Sequence, residues 1–343
     1  MANKIWNVVV IGCGAMAKLH MKGIKATEGA NLYGICDTHA ERLETAKREL
    51  ECELAIDNWK QFVEDPAVDA AVIVTPDQMH LEMTSAFLRA GKAVLCEKPM
   101  ALTLEECEEM RRVEKETNGK LMIGQICRCT PSFALVKKMI DEGRLGELMF
   151  VESEYAHNYT LARGIGDWRV DPKRHAVIGG GCHPIDLLRW IAGNPTEVYA
   201  YGNHKSLLDW PTDDTTIAIM KFPNDVIGKV FVSTGCKRNY TMRSVFYGTK
   251  GTIICDNSNR EIQLFENNDE LGKKYHEDPQ LIPVVVNNHN ATEEIRNFMD
   301  ALLNDKPMPV SSFEGAATVA VCCAAVESIA AGKPIQIKYP EEF

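Results

Sequence analysis

Over its first 125 residues the chain alternates short apolar runs with helical patterns, and few architectures can accept that order. The apolar runs are WNVVVIG, NLYGICD, LAI, DAAVIVT, AVLCEKP and KLMIGQ. Helical stretches separate them: from about Ala15 to Thr27, then HAERLETAKREL, a helix near WKQFVED, Met79 to Ala90, and Leu104 to Thr117. Strands that follow one another only through helices pair in parallel, by right-handed crossovers. The pattern predicts a doubly wound parallel sheet, an α/β domain occupying residues 1–124.

The first strand-to-helix junction carries GCGAMA, residues 12–17. Gly12 permits a tight turn, Gly14 lets backbone approach a pyrophosphate, and Ala17 takes the third small position, where helix packs on strand. The amides of Ala15 and Met16 open a helix whose positive dipole end suits phosphate. Asp37 ends the second strand 20 residues beyond Ala17, where a carboxylate accepts hydrogen bonds from an adenosine ribose. It would repel a 2′-phosphate, and Thr38 and His39 supply no arginine, so NAD is favoured over NADP.

Two later strand ends point to the same edge of the sheet. Thr75 and Pro76 in VTPDQMH fall where ligands sit in such folds. His80 opens the next helix, and either faces the cofactor or caps the helix. CEKP, residues 96–99, places Lys98 between Glu97 and a proline that biases it towards extended backbone. A lysine so placed points from the strand end, where a cationic nicotinamide and partial burial lower its pKa into acid/base range.

Composition removes several alternatives. A net charge of −10 and the lack of any lysine/arginine run argue against a nucleic-acid partner. No secretory pattern opens the chain and no apolar run is taken as long enough to span a bilayer, so a cytoplasmic protein without a membrane partner is expected. The 12 cysteines are then reduced thiols. Cys127/Cys129 and Cys322/Cys323 lack common zinc spacing, and no metal is expected.

The second part, residues 125–343, is rich in strands: LMFVESEYAH, EVYAYGNHK, TTIAIMKF, GKVFVSTGC, RSVFYGTKGTIICD and EIQLFEN. Helices are expected near 132–142, 183–192, 292–304 and 313–331. The stretch GGGCHPIDLLRW, residues 179–190, puts three glycines before His183, and Asp186 lies on the same helix face as that histidine. The glycines bring backbone close to a ligand where side chains would obstruct.

GCGAMAKLH, TPDQMH, EKPM and the glycine-led HPID together resemble the Gfo/Idh/MocA oxidoreductases. The resemblance runs the length of the chain, through the closing FEGAATVAVCCAAVESIAAGKPIQI. It implies a Rossmann domain followed by an α+β domain with an open, mainly antiparallel sheet. That sheet would form one wall of the substrate cleft and a homodimer or homotetramer interface. It also implies that Lys98 and His183 face the nicotinamide as catalytic residues, with Asp186 orienting His183 or touching substrate. Thr75, Pro76, His80, Glu97, Lys98 and Gln125 join the cofactor site. Many relatives carry an aspartate four residues before the histidine; here that position is Gly179. The glycine-rich variant is similar to a branch acting on sugars and glycosides.

Arg128, in QICRCTPSF, falls near the active cleft by the same resemblance. Trp168 and Arg169, in RGIGDWRVDPKRHAV, belong either to a covering loop that stacks on a sugar and binds its hydroxyls or to a solvated loop. Asn158, with Tyr155 and Tyr159, follows a strand and is a further substrate candidate. The expected activity is NAD-dependent oxidation of a secondary hydroxyl of a sugar, glycoside or cyclitol, specifically at the 3-position of a glucoside. Inositol dehydrogenase, aldose oxidation, a redox-neutral NAD-dependent glycosidase and a non-catalytic nucleotide sensor are the alternatives.

Overall fold

The computed structural model describes residues 4–266 and 278–341, which divide into two compact units. The first comprises Met1–Ile126, Ala291–Ala316 and Pro340–Phe343. Its strands are β1 (Trp6–Ile11), β2 (Ala30–Cys36), β3 (Ala55–Ile56), β4 (Ala70–Ile73), β5 (Ala93–Glu97) and β6 (Leu121–Gly124). Between them run α1 (Ala15–Lys25), α2 (Ala40–Leu50), α3 (Lys60–Glu64), α4 (His80–Arg89) and α5 (Leu104–Thr117). All strands are parallel, in the order β3-β2-β1-β4-β5-β6. β4 and β5 are apolar on both faces apart from Glu97, because helices cover both sides of a doubly wound sheet. The chain reverses its direction of winding between β1 and β4, which brings the loop after β1 beside the loop after β4.

The second unit holds Cys127–Asn290 and Ala317–Tyr339. It contains α6 (Pro131–Asp141), β7 (Leu148–Ala156), α7 (Ala176–Gly179), α8 (Cys182–Ala192), β8 (Glu197–Asn203), β9 (Thr215–Lys221) and β10 (Ile227–Ser233). β11 (Ser244–Gly248), β12 (Gly251–Cys255), β13 (Glu261–Glu266), β14 (Gln280–Pro283) and β15 (Ile335–Gln336) complete its sheet. The order is β14-β13-β12-β11-β7-β10-β9-β8-β15, antiparallel except for the parallel pair β7/β10. One face is packed: Val151, Val198, Ala218, Met220, Val230 and Phe246 are buried, and α8 lies over β7. The opposite face alternates outward and carries large apolar residues, with Tyr201 61% and Ile219 49% exposed beside Ile217, Ile227 and Tyr247. The open, mostly antiparallel sheet is thus present as expected.

A cut at residue 124/125 does not describe the first unit fully. α9 (Ala291–Leu303) returns to pack on α1, so closely that a Cβ at Gly23 would stand 3.1 Å from the Ala291 carbonyl oxygen. The amphipathic pattern of α9 fixed it as a helix but carried no sign of which unit its apolar face covers. α10 (Ser312–Ala331) begins in the first unit and continues in the second. It also corrects the expectation about membrane spans. By length and composition it is long and apolar enough to cross a bilayer, yet 61% of its most apolar window is packed inside the protein. All twelve cysteines are free thiols.

Candidate active site

The loop after β1 is built for a phosphate. Gly12 has φ +103°, and a Cβ there would lie 2.4 Å from the carbonyl oxygen of Val74, so only glycine fits where the two central loops meet. Gly14 caps α1 without any side-chain hydrogen bond, and the first turn carries no acid. A Cβ at Gly14 would have nothing within 4 Å. The N-terminal amides of α1 therefore keep the room and polarity a pyrophosphate needs. Ala17 is fully buried against the sheet, while Ala15 is exposed and Met16 half-buried at the helix entrance.

Asp37 also organises this loop. Its Oδ2 accepts the Cys13 amide at 2.8 Å and its Oδ1 the His39 amide at 2.8 Å. A carboxylate has about four lone-pair sites, so two ribose hydroxyls can still be accepted. Gln125 is 2% exposed and its Oε1 is buried with no hydrogen-bond partner, an acceptor suited to an amide N–H. These features fit a dinucleotide.

His80 does not stand open to a ligand. It is fully buried, with Nδ1 2.9 Å from the Pro99 carbonyl and Nε2 3.3 Å from that of Thr75. Two carbonyls call for two N–H donors, which only the imidazolium offers. Burial opposes that charge, but Cys96, Asp77 and the Pro99 carbonyl outweigh it and raise the pKa to about 10. His80 thus staples the end of β4 to the segment after Lys98, and Thr75 and Pro76 belong to the same bend.

Lys98 follows β5 and is half-buried. Behind it Glu97 is 5% exposed; its Oε2 accepts the Lys98 amide at 3.1 Å and its Oε1 meets His20 Nε2 at 2.7 Å. Burial would raise the Glu97 pKa, but His20 and then Lys98 outweigh it and hold the carboxyl below its ordinary range. Glu294 from α9 completes the group, with Oε2 3.9 Å from His20 Nε2. Burial, with the Glu97 charge beside it, pushes Glu294 well above the usual carboxylate range.

In the second unit, His183 is 2% exposed on α8, its Nδ1 3.1 Å from the Cys127 Sγ. The Tyr155 ring stacks on it, centres 5.8 Å apart and planes 18° apart. His289 lies 6.3 Å away, itself stacked on Tyr240. Burial raises the phenols of Tyr155 and Tyr240 well above their ordinary value, so both remain hydroxyl donors. The result is an aromatic, hydroxyl-bearing surround for one imidazole.

For three of the expected site features the structure shows other partners. Asp186 does not orient His183. Its Oδ2 and Oδ1 accept Arg128 Nε and Nη2 at 2.8 and 2.7 Å, Thr318 Oγ1 donates to Oδ1 at 3.1 Å, and Arg189 Nη1 is 3.8 Å away. Arg128, expected at the substrate, is the other half of this buried clamp, its side chain only 10% exposed. The three glycines, expected to clear a path for a ligand, are pressed by the protein itself. A Cβ at Gly179 would lie 2.2 Å from the Arg174 guanidinium, at Gly180 2.5 Å from the Tyr155 ring, and at Gly181 2.6 Å from the Val177 carbonyl oxygen.

The remaining substrate candidates lie in the turn-rich stretch. Trp168 is half-buried, with the guanidinium carbons of Arg169 and Arg174 4.2 and 4.9 Å from its ring centre. Arg169 also donates to the Ala162 carbonyl. Asn158 is exposed and accepts from the Thr160 amide and hydroxyl, closing a local turn. Tyr240, His289, His20 and Glu294 were not singled out from sequence, and Cys127 was considered only as half of a C-x-C pair without zinc spacing. His20 alone had a signal, as the last letter of GCGAMAKLH.

Residues 6–125 match the oxidoreductase family described as having an NAD-binding Rossmann fold, and residues 133–254 match the GFO/IDH/MocA C-terminal domain. The chain is 31% identical over 253 residues to inositol 2-dehydrogenase 2 of Saccharopolyspora erythraea, covering 72% of each chain. It is 25% identical to myo-inositol 2-dehydrogenase of Thermotoga maritima, over 96% of this chain and 98% of that one. A solved levoglucosan dehydrogenase in complex with NADH superposes with a TM-score of 0.89 at 23% identity, covering 98% of this chain and 100% of that one.

Proposed function

The chain belongs to the Gfo/Idh/MocA oxidoreductase family, and we propose that it oxidises a secondary hydroxyl of a sugar, glycoside or cyclitol. Its first unit is an NAD-binding Rossmann domain. The observation that carries the substrate reading is the environment of His183. That imidazole lies among tyrosine rings and a thiol, while the nearby Asp186 carboxylate is neutralised by Arg128. Such a setting suits a neutral polyol, and relatives named for inositol and levoglucosan support the same class.

With NAD bound, the carbinol carbon loses its hydride to the nicotinamide, which is the chemistry the cofactor supplies. The chain must take the hydroxyl proton. We assign that work to Lys98 and His183, on the family resemblance and on the acid/base chemistry open to an amine and an imidazole. Asp186 and Arg128 are assigned to holding α8 instead.

The specific form proposed is oxidation at the 3-position of a glucoside, giving a 3-keto sugar. Inositol oxidation is the second reading, favoured by the 31% identity to an inositol 2-dehydrogenase. The apolar outer face of the second sheet supports assembly with a second copy, as a homodimer or homotetramer. Twelve free thiols suit the reducing cytoplasm.

The test is near-ultraviolet absorbance of reduced nicotinamide with NAD and, in turn, inositols, levoglucosan, aldoses, and alkyl and aryl glucosides. A signal from glucosides with a blocked anomeric carbon supports the specific form; a signal from inositols alone supports the second. A signal from free aldoses alone refutes both.

A further inference from the structure

One buried group of titratable residues has no part in the chemistry assigned above. His20 on α1, Glu97 at the end of β5 and Glu294 on α9 are 0%, 5% and 1% exposed. All three lie within the first unit. They bring three separate elements together directly behind the backbone of Lys98.

We propose that His20 is a positioning residue for Lys98, acting through Glu97, whose carboxylate it shares with the Lys98 backbone amide. Glu97 Oε1 meets His20 Nε2 at 2.7 Å, and Oε2 accepts the Lys98 N–H at 3.1 Å. With both oxygens held, the carboxylate cannot rotate, and the strand end from which Lys98 projects is fixed relative to α1. A charge-assisted hydrogen bond of this length is among the stronger ones available to side chains. α1 is also the helix whose N-terminus opens on the glycine loop. The pair therefore ties the dinucleotide-binding helix to the lysine.

Glu294 closes the cluster from the other side. Its Oε2 is buried without a hydrogen-bond partner, as is His20 Nδ1. Burial, with the Glu97 charge beside it, raises the Glu294 pKa well above the usual carboxylate range. The Lys98 charge acts on both Glu97 and Glu294, so loss of the Glu97 anion disfavours the ammonium.

The same residues invite a metal reading, since their ligand atoms all lie within 4.8 Å of one another. The distances favour a proton. Two ligands at about 2.0–2.1 Å from a tetrahedral zinc stand ~3.3 Å apart, whereas 2.7 Å between His20 and Glu97 is the separation of a charge-assisted hydrogen bond.

The inference rests on Lys98 as a proton-handling residue, so the experiment reads the lysine as well as turnover. In the full chain saturated with NADH, the Lys98 amine is titrated by nitrogen-15 NMR, assigned with Lys98→Arg. Wild type is compared with Glu97→Gln, His20→Gln and His20→Ala. Glu97→Gln should lower the Lys98 midpoint by about one unit or more. His20→Ala should lower kcat at least tenfold and move the midpoint the same way. His20→Gln, which keeps an N–H donor near Glu97, should recover part of both.

A Lys98 midpoint unmoved in Glu97→Gln and His20→Ala, with the variants folded and binding NADH, overturns the proposal whatever the substrate. So does one equivalent of tightly bound divalent metal that disappears in His20→Gln. Full turnover in Lys98→Ala would instead overturn the catalytic assignment and leave the titration result standing.

Discussion

Replacing Asp186 by asparagine separates the two roles this residue has been given. The carboxylate is fully buried and accepts two hydrogen bonds from Arg128 and one from Thr318, with Arg189 3.8 Å away. The amide keeps the shape but removes the negative charge that both arginines face. Breaking a buried pair by removing one partner costs about 3–5 kcal/mol. For a domain of 150–250 residues, the size of the second unit, 1 kcal/mol shifts Tm by about 2–4 °C. Differential scanning calorimetry should therefore show Tm falling by about 6–20 °C. NADH affinity should stay within threefold, because the nucleotide loop belongs to the other unit. The double variant Arg128→Met/Asp186→Leu, which removes both charges, should recover most of the loss. A Tm within 2 °C of wild type for Asp186→Asn refutes the clamp. If turnover vanished at the same time, Asp186 would regain the role of orienting His183 or touching substrate that its spacing from His183 suggests.

Three further outcomes follow from the geometry. Gly14→Ala should fold normally, since its Cβ meets no protein atom within 4 Å, yet bind NAD at least tenfold more weakly; Gly12→Ala, with a Cβ 2.4 Å from a carbonyl oxygen, should lose stability as well, and calorimetric titration with thermal melts tells them apart. The folded-state pKa of His80 lies above its unfolded value, so its stabilisation is complete below pH 6.5 and lost as pH rises through about 10; denaturation midpoints should fall across that window, and His80→Gln should flatten the slope. Ile219→Asp on the outer face of β9 should halve the particle mass or more by light scattering while leaving the monomer's Tm within a few degrees.

The parts of the fold that could be read from sequence are those whose cause is local. β1 to β6 are apolar runs bounded by turn residues, and the glycines at 12 and 14 announce the first crossover. Period-two alternation marks β7 to β10, and the helices at 182–192 and 291–303 begin and end within a residue or so of their apolar patterns. Direction and neighbour are not local. Nothing in GQICRC says that Arg128 will find Asp186, 58 residues later, rather than a substrate, or that Thr318 will join them from 132 residues away. Spacing within one helix places Asp186 on the same face as His183. It cannot show that a buried arginine from another element already holds that carboxylate.

The glycines before His183 make the same point from the side of sterics. A run of three glycines signals close approach by something, and in an oxidoreductase the natural guess is a ligand. Here the approaching groups are the Arg174 guanidinium, the Tyr155 ring and the Val177 carbonyl, all within the same unit. The two side-chain neighbours can yield by moving; the backbone one cannot. Gly181 is therefore the position at which alanine should do most harm to the fold, and Gly179 the one at which it is best tolerated, as Arg174 swings aside. The position where many relatives carry an aspartate is thus filled in space, if not in sequence, by a cation. That reverses the sign of charge beside the turn leading to His183.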